Sequence, residues 1–303
     1  MATQVHSSFD SLPVPKQWVW NDLPICYQQM GDTGPVMLLI HGFGASWGHW
    51  RKNIPVLAKY SRVYALDLLG FGASAKPYPG NPVTYTFETW SSQIRDFCRD
   101  IIKEPVFLVG NSIGCIAAMQ AAVDEPEGCL GVAMLNCSIR MLHVRRLAQL
   151  PWYRRMGTPI LQQILGIQWL GHQFFQLVAR RSTVRNALSQ AYVNPEAVTD
   201  ELVEMLLRPA SDTGAADVFL AFTRYSHGPL PEDLLEKLRC PALIIWGKDD
   251  PWEPIDEGRR LLAHFPQVEE FLALDQVGHC PQDEAPEEVN RILTNWIKRM
   301  CLT

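Results

Sequence analysis

Gly110-Asn111-Ser112-Ile113-Gly114 is the segment of this 303-residue chain best suited to do chemistry. A short apolar run, Pro105–Val109, precedes it, and the small, helix-forming run Cys115–Met119 follows. A buried strand, Gly-x-Ser-x-Gly and a helix form a nucleophile elbow, which exposes the serine hydroxyl at the tip of a sharp turn. Such a turn leaves no room for Cβ atoms at its flanks, a demand met by Gly110 and Gly114. Ser112 itself is then expected to carry a strained backbone. Ile113 offers an amide at a helix N-terminus, unpaired and favourable to negative charge. The chemistry predicted is attack by the Ser112 hydroxyl on a carbonyl carbon.

A serine is a weak nucleophile without a base, and the base needs an acid to orient it. Elbows of this kind are followed in chain order by Asp or Glu and then by His, each on a loop leaving a strand. Pro241–Trp246 reads as a buried strand running into Gly247-Lys248-Asp249-Asp250-Pro251, which supplies two adjacent acids. Phe271–Leu274 reads as a last strand, followed by Gln276-Val277-Gly278-His279-Cys280-Pro281. His279 is the general-base candidate. The oxyanion needs two convergent N–H donors. Ile113 is one, and the glycine-rich loop His41-Gly42-Phe43-Gly44 after Val36–Ile40 is the place for the other. His41 is expected to hold that loop by hydrogen bonds. No Cys/His cluster has zinc spacing, Cys280 reads as filler, and the scheme requires neither metal nor cofactor.

The elements that must position these residues follow from the apolar runs. Trp18–Trp20 and Ile25–Gln28 look like an opening hairpin. Six further runs alternate with helical stretches: Val36–Ile40, Val63–Leu68, Val106–Val109, Gly131–Leu135, Leu243–Trp246 and Phe271–Leu274. That alternation predicts an α/β fold with a mostly parallel eight-stranded sheet flanked by helices. The stretch between Leu135 and Leu243 is too long for a simple connection. It predicts a helical cap, residues 138–239, inserted into a core made of 1–137 and 240–303. Neither repeats nor low-complexity tracts appear.

Taken together, these motifs resemble the α/β-hydrolase superfamily over nearly the whole chain. Within it, the stretches His41–Trp50, Val63–Ser74 and Gly278–Pro286 are similar to hydrolases of plastids and cyanobacteria, a group that includes chlorophyll dephytylases and pheophytinase. The resemblance implies that Asp250, in Gly-x-x-Asp-x-x-x-Pro, is the acid rather than Asp249, and that Phe43 is the second oxyanion donor. Some relatives carry an acid at the position of Asn136, which as an amide cannot steady an imidazolium in the same way. Cys115 departs from the second glycine of many relatives and is small enough to be tolerated. The reaction implied is hydrolysis of a carboxylic ester through an acyl-serine, with a small, lipophilic substrate such as the phytyl ester of a chlorophyll-type pigment. Dehalogenases and epoxide hydrolases share the cap topology but use a carboxylate at the elbow, which Ser112 excludes. Asn111-Ser112 leaves a C–C bond hydrolase open, and a ligand receptor or pigment-synthesis accessory protein is the non-enzymatic alternative.

A net charge of −5 exerts no pull toward nucleic acid. Eight cysteines without paired short spacings suit free thiols in a reducing compartment, cytoplasmic or, by the resemblance, the chloroplast stroma or thylakoid surface. No apolar run is long enough to span a bilayer, and the first residues lack the charge and apolar block of a signal peptide. From Ser138 to Arg185 there are eight arginines and no acid, interleaved with Trp152, Tyr153, Trp169, Phe174 and Phe175. One reading is amphipathic helices roofing the site, with Arg stems along apolar surface. The other is a basic lid making peripheral contact with an anionic membrane. Asn111, Trp152, Phe174 and Phe175 are the candidates for contacting substrate. Nothing in the sequence sets the oligomeric state.

Overall fold

The computed structural model describes residues 9, 12–80, 83–149 and 167–302. Eight strands are formed: β1 (Lys16–Trp20), β2 (Leu23–Met30), β3 (Val36–Ile40), β4 (Arg62–Leu66), β5 (Val106–Asn111), β6 (Cys129–Leu135), β7 (Ala242–Gly247) and β8 (Val268–Leu274). Their order in one sheet is β1-β2-β4-β3-β5-β6-β7-β8. β1 and β2 pair antiparallel with each other, as β2 does with β4, and all later pairings are parallel. The chain therefore adopts the α/β class its apolar runs predict. β4 stops at Leu66 rather than Leu68 because the Leu68 amide leaves the ladder to donate to His41 Nε2 (3.0 Å).

Both faces of the sheet are covered, which is why its central strands are apolar throughout. Along β3, Val36, Leu38 and Ile40 enter one core while Met37 and Leu39 enter the other. The helices used below are α1 (Phe87–Phe97), α2 (Ile113–Asp124), α3 (Gln168–Val178), α4 (Arg181–Ala191), α5 (Asp200–Leu207), α6 (Ala215–Thr223), α7 (Ile255–Leu262) and α8 (Pro286–Met300). α1 begins where the Thr86 hydroxyl accepts from the Thr89 amide (3.3 Å), an N-cap interaction. α8 buries Val289, Ile292, Leu293, Trp296 and Ile297, a single helical stripe, against the sheet. α2 is apolar on nearly every side because it lies between β5 and α1.

Between β6 and β7 the chain leaves the sheet and builds α3 to α6. This insertion has a small core of its own, made of Leu188, Ala191, Tyr192, Val198, Leu202 and Val203. Cys280, from the loop after β8, completes it. The insertion is rooted by Arg140, whose guanidinium donates to the carbonyls of Pro229 (2.7 Å), His227 (2.6 Å) and Tyr225 (3.2 Å). It also lies over the rings of Phe87 and Tyr225, 4.8 and 5.1 Å from their centroids. No helix among the described residues is long and apolar enough to cross a membrane.

Candidate active site

Ser112 sits between β5 and α2 with φ 55° and ψ −119°, a conformation that L-residues adopt only when their surroundings impose it. The imposing contacts are backbone. Ser112 N–H donates to Leu135 O (3.0 Å), and its carbonyl accepts from Cys115 (3.1 Å) and Ser138 (3.2 Å). The glycines at its flanks are obligatory. A Cβ on Gly110 would stand 2.5 Å from the Cys115 nitrogen, and one on Gly114 would stand 2.5 Å from Ile40 O. Cys115 is fully buried with its thiol 3.5 Å from Leu135 O, so the missing glycine at that position costs no fit.

The loop after β8 brings His279 to the ends of β5 and β7. Its Nδ1 lies 2.7 Å from Asp250 Oδ2. Asp250 is buried, and its other oxygen accepts from the amides of Trp252 (2.8 Å) and Glu253 (3.1 Å). Asp249 is exposed. Burial by itself would raise the Asp250 pKa. The hydrogen bond and charge of His279, with the amide of Asn136, outweigh burial and hold the carboxyl below its ordinary value.

Asn136, at φ 43°, proves more than an acid position left empty. Its Nδ2 donates to Asp250 Oδ2 (2.6 Å) and Gly278 O (3.2 Å), while its Oδ1 accepts from Gly247 N–H (3.0 Å). One amide thus joins the acid loop to the histidine loop. Sequence reasoning weighed Asn136 only as a missing carboxylate. The available signal was a polar residue directly after a buried strand. Asn111 is a second brace: its Nδ2 donates to Leu135 O and His279 O, both at 3.2 Å. It lines the cavity, but its donors are engaged with the protein.

The loop of residues 41–44 is built against the elbow. A Cβ on Gly42 would lie 3.2 Å from Ser112 Cβ, so the backbone leading into Phe43 passes directly beside Ser112. His41 holds it there, with Nδ1–H donating to Gly42 O (2.7 Å) and Nε2 accepting from Leu68. Burial lowers the His41 pKa to about 4, so the ring is neutral and fixed in that tautomer. Asp67 ties the same loop by accepting from Trp47 (2.6 Å) and Ala73 (2.8 Å). The Phe43 ring stacks on Phe222 of α6 at 5.1 Å and touches Phe219 at 5.5 Å. Ile113, first residue of α2, has no preceding turn to accept its amide.

Ser112, His279, Gly42 and Phe43 line one cavity of about 420 Å³, roofed by Phe175, Val184, Leu188, Val218 and Phe219. Phe175 is buried in that roof, whereas Phe174, expected from the sequence to contact substrate, does not line the cavity. It is 38 % exposed, because adjacent helical positions point about 100° apart and Phe175 takes the inward one. Trp152 lies outside the described residues, as do Arg154 and Arg155. Of the other arginines in that basic stretch, Arg140 is the root clasp, Arg146 pairs with Glu232 (2.8 Å), Arg145 with Asp233, and Arg181 and Arg185 with Asp200. Four of the eight arginines are therefore ion-paired with acids further along the insertion. Glu253 is a carboxyl in the cavity wall that sequence reasoning passed over. It accepts from Ser138 Oγ (2.9 Å) and Ile139 N–H (3.2 Å), and burial pushes its pKa up to about 7.

Two outcomes are expected. Asp250→Asn lowers kcat on a p-nitrophenyl ester by about 10⁴-fold, while Asp249→Asn stays within about twofold. A larger loss for Asp249→Asn reverses the assignment. Glu253 holds its proton more tightly folded than unfolded, so its destabilising effect grows as pH climbs from 4.5 to about 7. Glu253→Gln should gain on the wild type across that window by on the order of 3 kcal/mol at most, read by urea unfolding. A stability difference independent of pH rules this out.

Comparison with known proteins shows the family. A family model described as "Alpha/beta hydrolase family" matches residues 37–292. The chain is 25 % identical to a chloroplastic pheophytinase of Arabidopsis thaliana over 336 residues, 92 % of this chain but only 65 % of that protein's length. It is 35 % identical over 279 residues to a fluoroacetate dehalogenase of Burkholderia sp, covering 88 % of each. Among solved structures, a bacterial membrane phospholipase A superposes with a TM-score of 0.75 at 24 % identity, over 96 % of this chain and 87 % of the other. The strand order, the elbow and the match across most of its length place this chain in the alpha/beta hydrolase family.

Proposed function

We propose that this protein is a serine hydrolase that cleaves an uncharged, lipophilic carboxylic ester through an acyl-serine intermediate. The observation carrying this reading is the strained Ser112, sharing an apolar cavity with a His279 that is hydrogen-bonded to the buried Asp250. In this scheme His279 takes the Ser112 proton as Oγ attacks the acyl carbon, and Asp250 steadies the imidazolium. The amides of Phe43 and Ile113 hold the oxyanion. His279 returns the proton to the leaving alcohol, then activates the water that releases the acid.

Residues 138–239 act as the cap that selects the substrate. Among the described lining residues Lys76 is the one Lys or Arg, and it is paired with Asp212 at 2.8 Å. Among the described residues of the cavity wall an anionic substrate therefore finds no free Lys or Arg, which favours an ester over a charged C–C hydrolase substrate. A cavity of about 420 Å³ is at the smaller end for organic ligands and suits one apolar arm of an ester. For a chlorophyll-type substrate, the phytyl chain would occupy it and the macrocycle would stay outside. The free cysteines favour a reducing compartment, cytoplasmic or plastid.

Ser112→Ala should abolish labelling by an active-site phosphonate and lower ester turnover by about 10⁴-fold or more. A panel of short and long acyl esters, chlorophyll and pheophytin then identifies the substrate. Labelling that persists at another residue defeats the scheme.

A second reading concerns the membrane. Phe174 and Leu177 share one exposed face of α3 with Ile167 at its N-cap, at 38, 50 and 48 % exposure. With Arg181 and Arg185 beside that helix already ion-paired, contact with lipid through this face would be apolar rather than electrostatic. Neutral and anionic vesicles should then bind alike in flotation, and Phe174→Glu with Leu177→Glu should abolish binding. No flotation with either vesicle ends this reading.

A further inference from the structure

We propose that the last residue of α4 and the three that follow it, residues 191–194, are the positioning element for His279, so that seating the cap and placing the base are one event. This rests on the reading of His279 as the base. The base is held by the cap before any substrate arrives: its amide donates to Ala191 O at 2.8 Å. Gly278 beside it has no room for a Cβ against that same carbonyl. Cys280, on the other side, is buried in the cluster of Leu188, Ala191, Tyr192 and Leu202. Three consecutive residues of the histidine loop therefore touch the end of one cap helix.

Two polar bridges hold that helix end to the core. Glu284 spans the joint, accepting from Gly278 N–H through Oε2 (2.7 Å) and from Asn194 N–H through Oε1 (2.6 Å). The second bridge is buried. Tyr192 donates its hydroxyl proton to Asp283 Oδ2 (2.9 Å), so its oxygen accepts from His49 Nε2–H, also at 2.9 Å. Asp283 is in turn paired with Arg51 (2.8 Å) and Lys52 (3.1 Å). Burial keeps His49 neutral, with its pKa lowered to about 4, which fits a ring that donates once and carries no charge. Loop residues 49–52, the cap residue Tyr192 and the segment just after His279 are thus locked together. A hydroxyl in this place is not needed to fill space, since the Tyr192 ring already packs in the apolar cluster. Its hydroxyl sets register.

The consequence is directional. Lifting the cap at residues 191–194 would break the Ala191 and Glu284 bonds and unseat the base. Movement that admits substrate must leave this joint closed, and a cap lifted at the joint leaves Ser112 without its base. Tyr192 and Glu284 touch no reacting atom and act through His279.

Tyr192→Phe and Glu284→Gln test this in the full chain. Each is measured for kcat and KM on a p-nitrophenyl ester, for the rate of phosphonate labelling at Ser112, and for amide hydrogen exchange in the peptide covering residues 276–284. All are read well below the melting temperature. The expected result in each variant is a fall of about tenfold in kcat and labelling rate with KM within twofold. Exchange in the 276–284 peptide should quicken by a similar factor. Wild-type kcat and exchange in both variants overturn the proposal, as does a loss confined to KM. If Tyr192→Phe does not fold, Glu284→Gln decides alone. Failure of the wild type to turn over esters or take the label would sink the ester-hydrolase reading instead, while exchange would still report whether the cap end holds the histidine loop.

Discussion

At Gly110 and Gly114 the strand β5, the helix α2 and the end of β3 approach so closely that any side chain at either glycine would collide with backbone. This contact sets the conformation of Ser112. With φ 55° imposed by the bonds to Leu135, Cys115 and Ser138, the hydroxyl stands clear of the sheet while the amide of Ile113 opens a helix. The same closeness puts Gly42 against Ser112, so the loop proposed to supply the second oxyanion donor is positioned by the packing that positions Ser112. A looser elbow would misplace three functional groups together.

Polar groups placed in an apolar core must be paired there, because unpaired burial is unfavourable by roughly 1–3 kcal/mol each. The site meets this demand with amide side chains rather than further charges. Asn136 and Asn111 each use two donors on backbone or carboxylate oxygens, joining β6 to the loops after β7 and β8. Asp250 has four accepted hydrogen bonds, two from side chains and two from its own loop. The insertion adds contacts at both ends of the machinery, with Phe219 and Phe222 on the Phe43 ring and Ala191 on the His279 amide. It is therefore part of the site's scaffold as well as its roof.

The strands were legible because buried parallel strands must be apolar along their whole length. Val36–Ile40 and Leu243–Trp246 could be little else. The elbow was legible because its glycines and serine occupy fixed offsets in a strand–helix context. What remained hidden depends on contacts between distant segments. The Arg145–Asp233 and Arg146–Glu232 pairs offset part of a strip of positive charge, and no local pattern announces them. Phe174 and Phe175 are adjacent aromatics with the same propensity, and only the packing of α3 on α6 decides which one faces inward. Tyr192 reads as a helix-end aromatic until Asp283 and His49 are seen to meet its hydroxyl.

On the proposed reading of Ser112 as the nucleophile, its residue type constrains the rest of the site. A carboxylate at the elbow is already a nucleophile at neutral pH. A serine hydroxyl is not, and its proton must leave as the new bond forms. A serine at this position therefore places a stricter demand on the histidine, whose ring must be within reach before attack begins. The neighbourhood of His279 matches that demand: its carbonyl is held by Asn111, its amide by Ala191 and its ring by Asp250, so three separate chain segments fix one residue. Each restraint acts on a different atom of the residue. Removing any one leaves the loop in place but frees a rotation, and loss of alignment rather than loss of folding is how damage to this site should first appear.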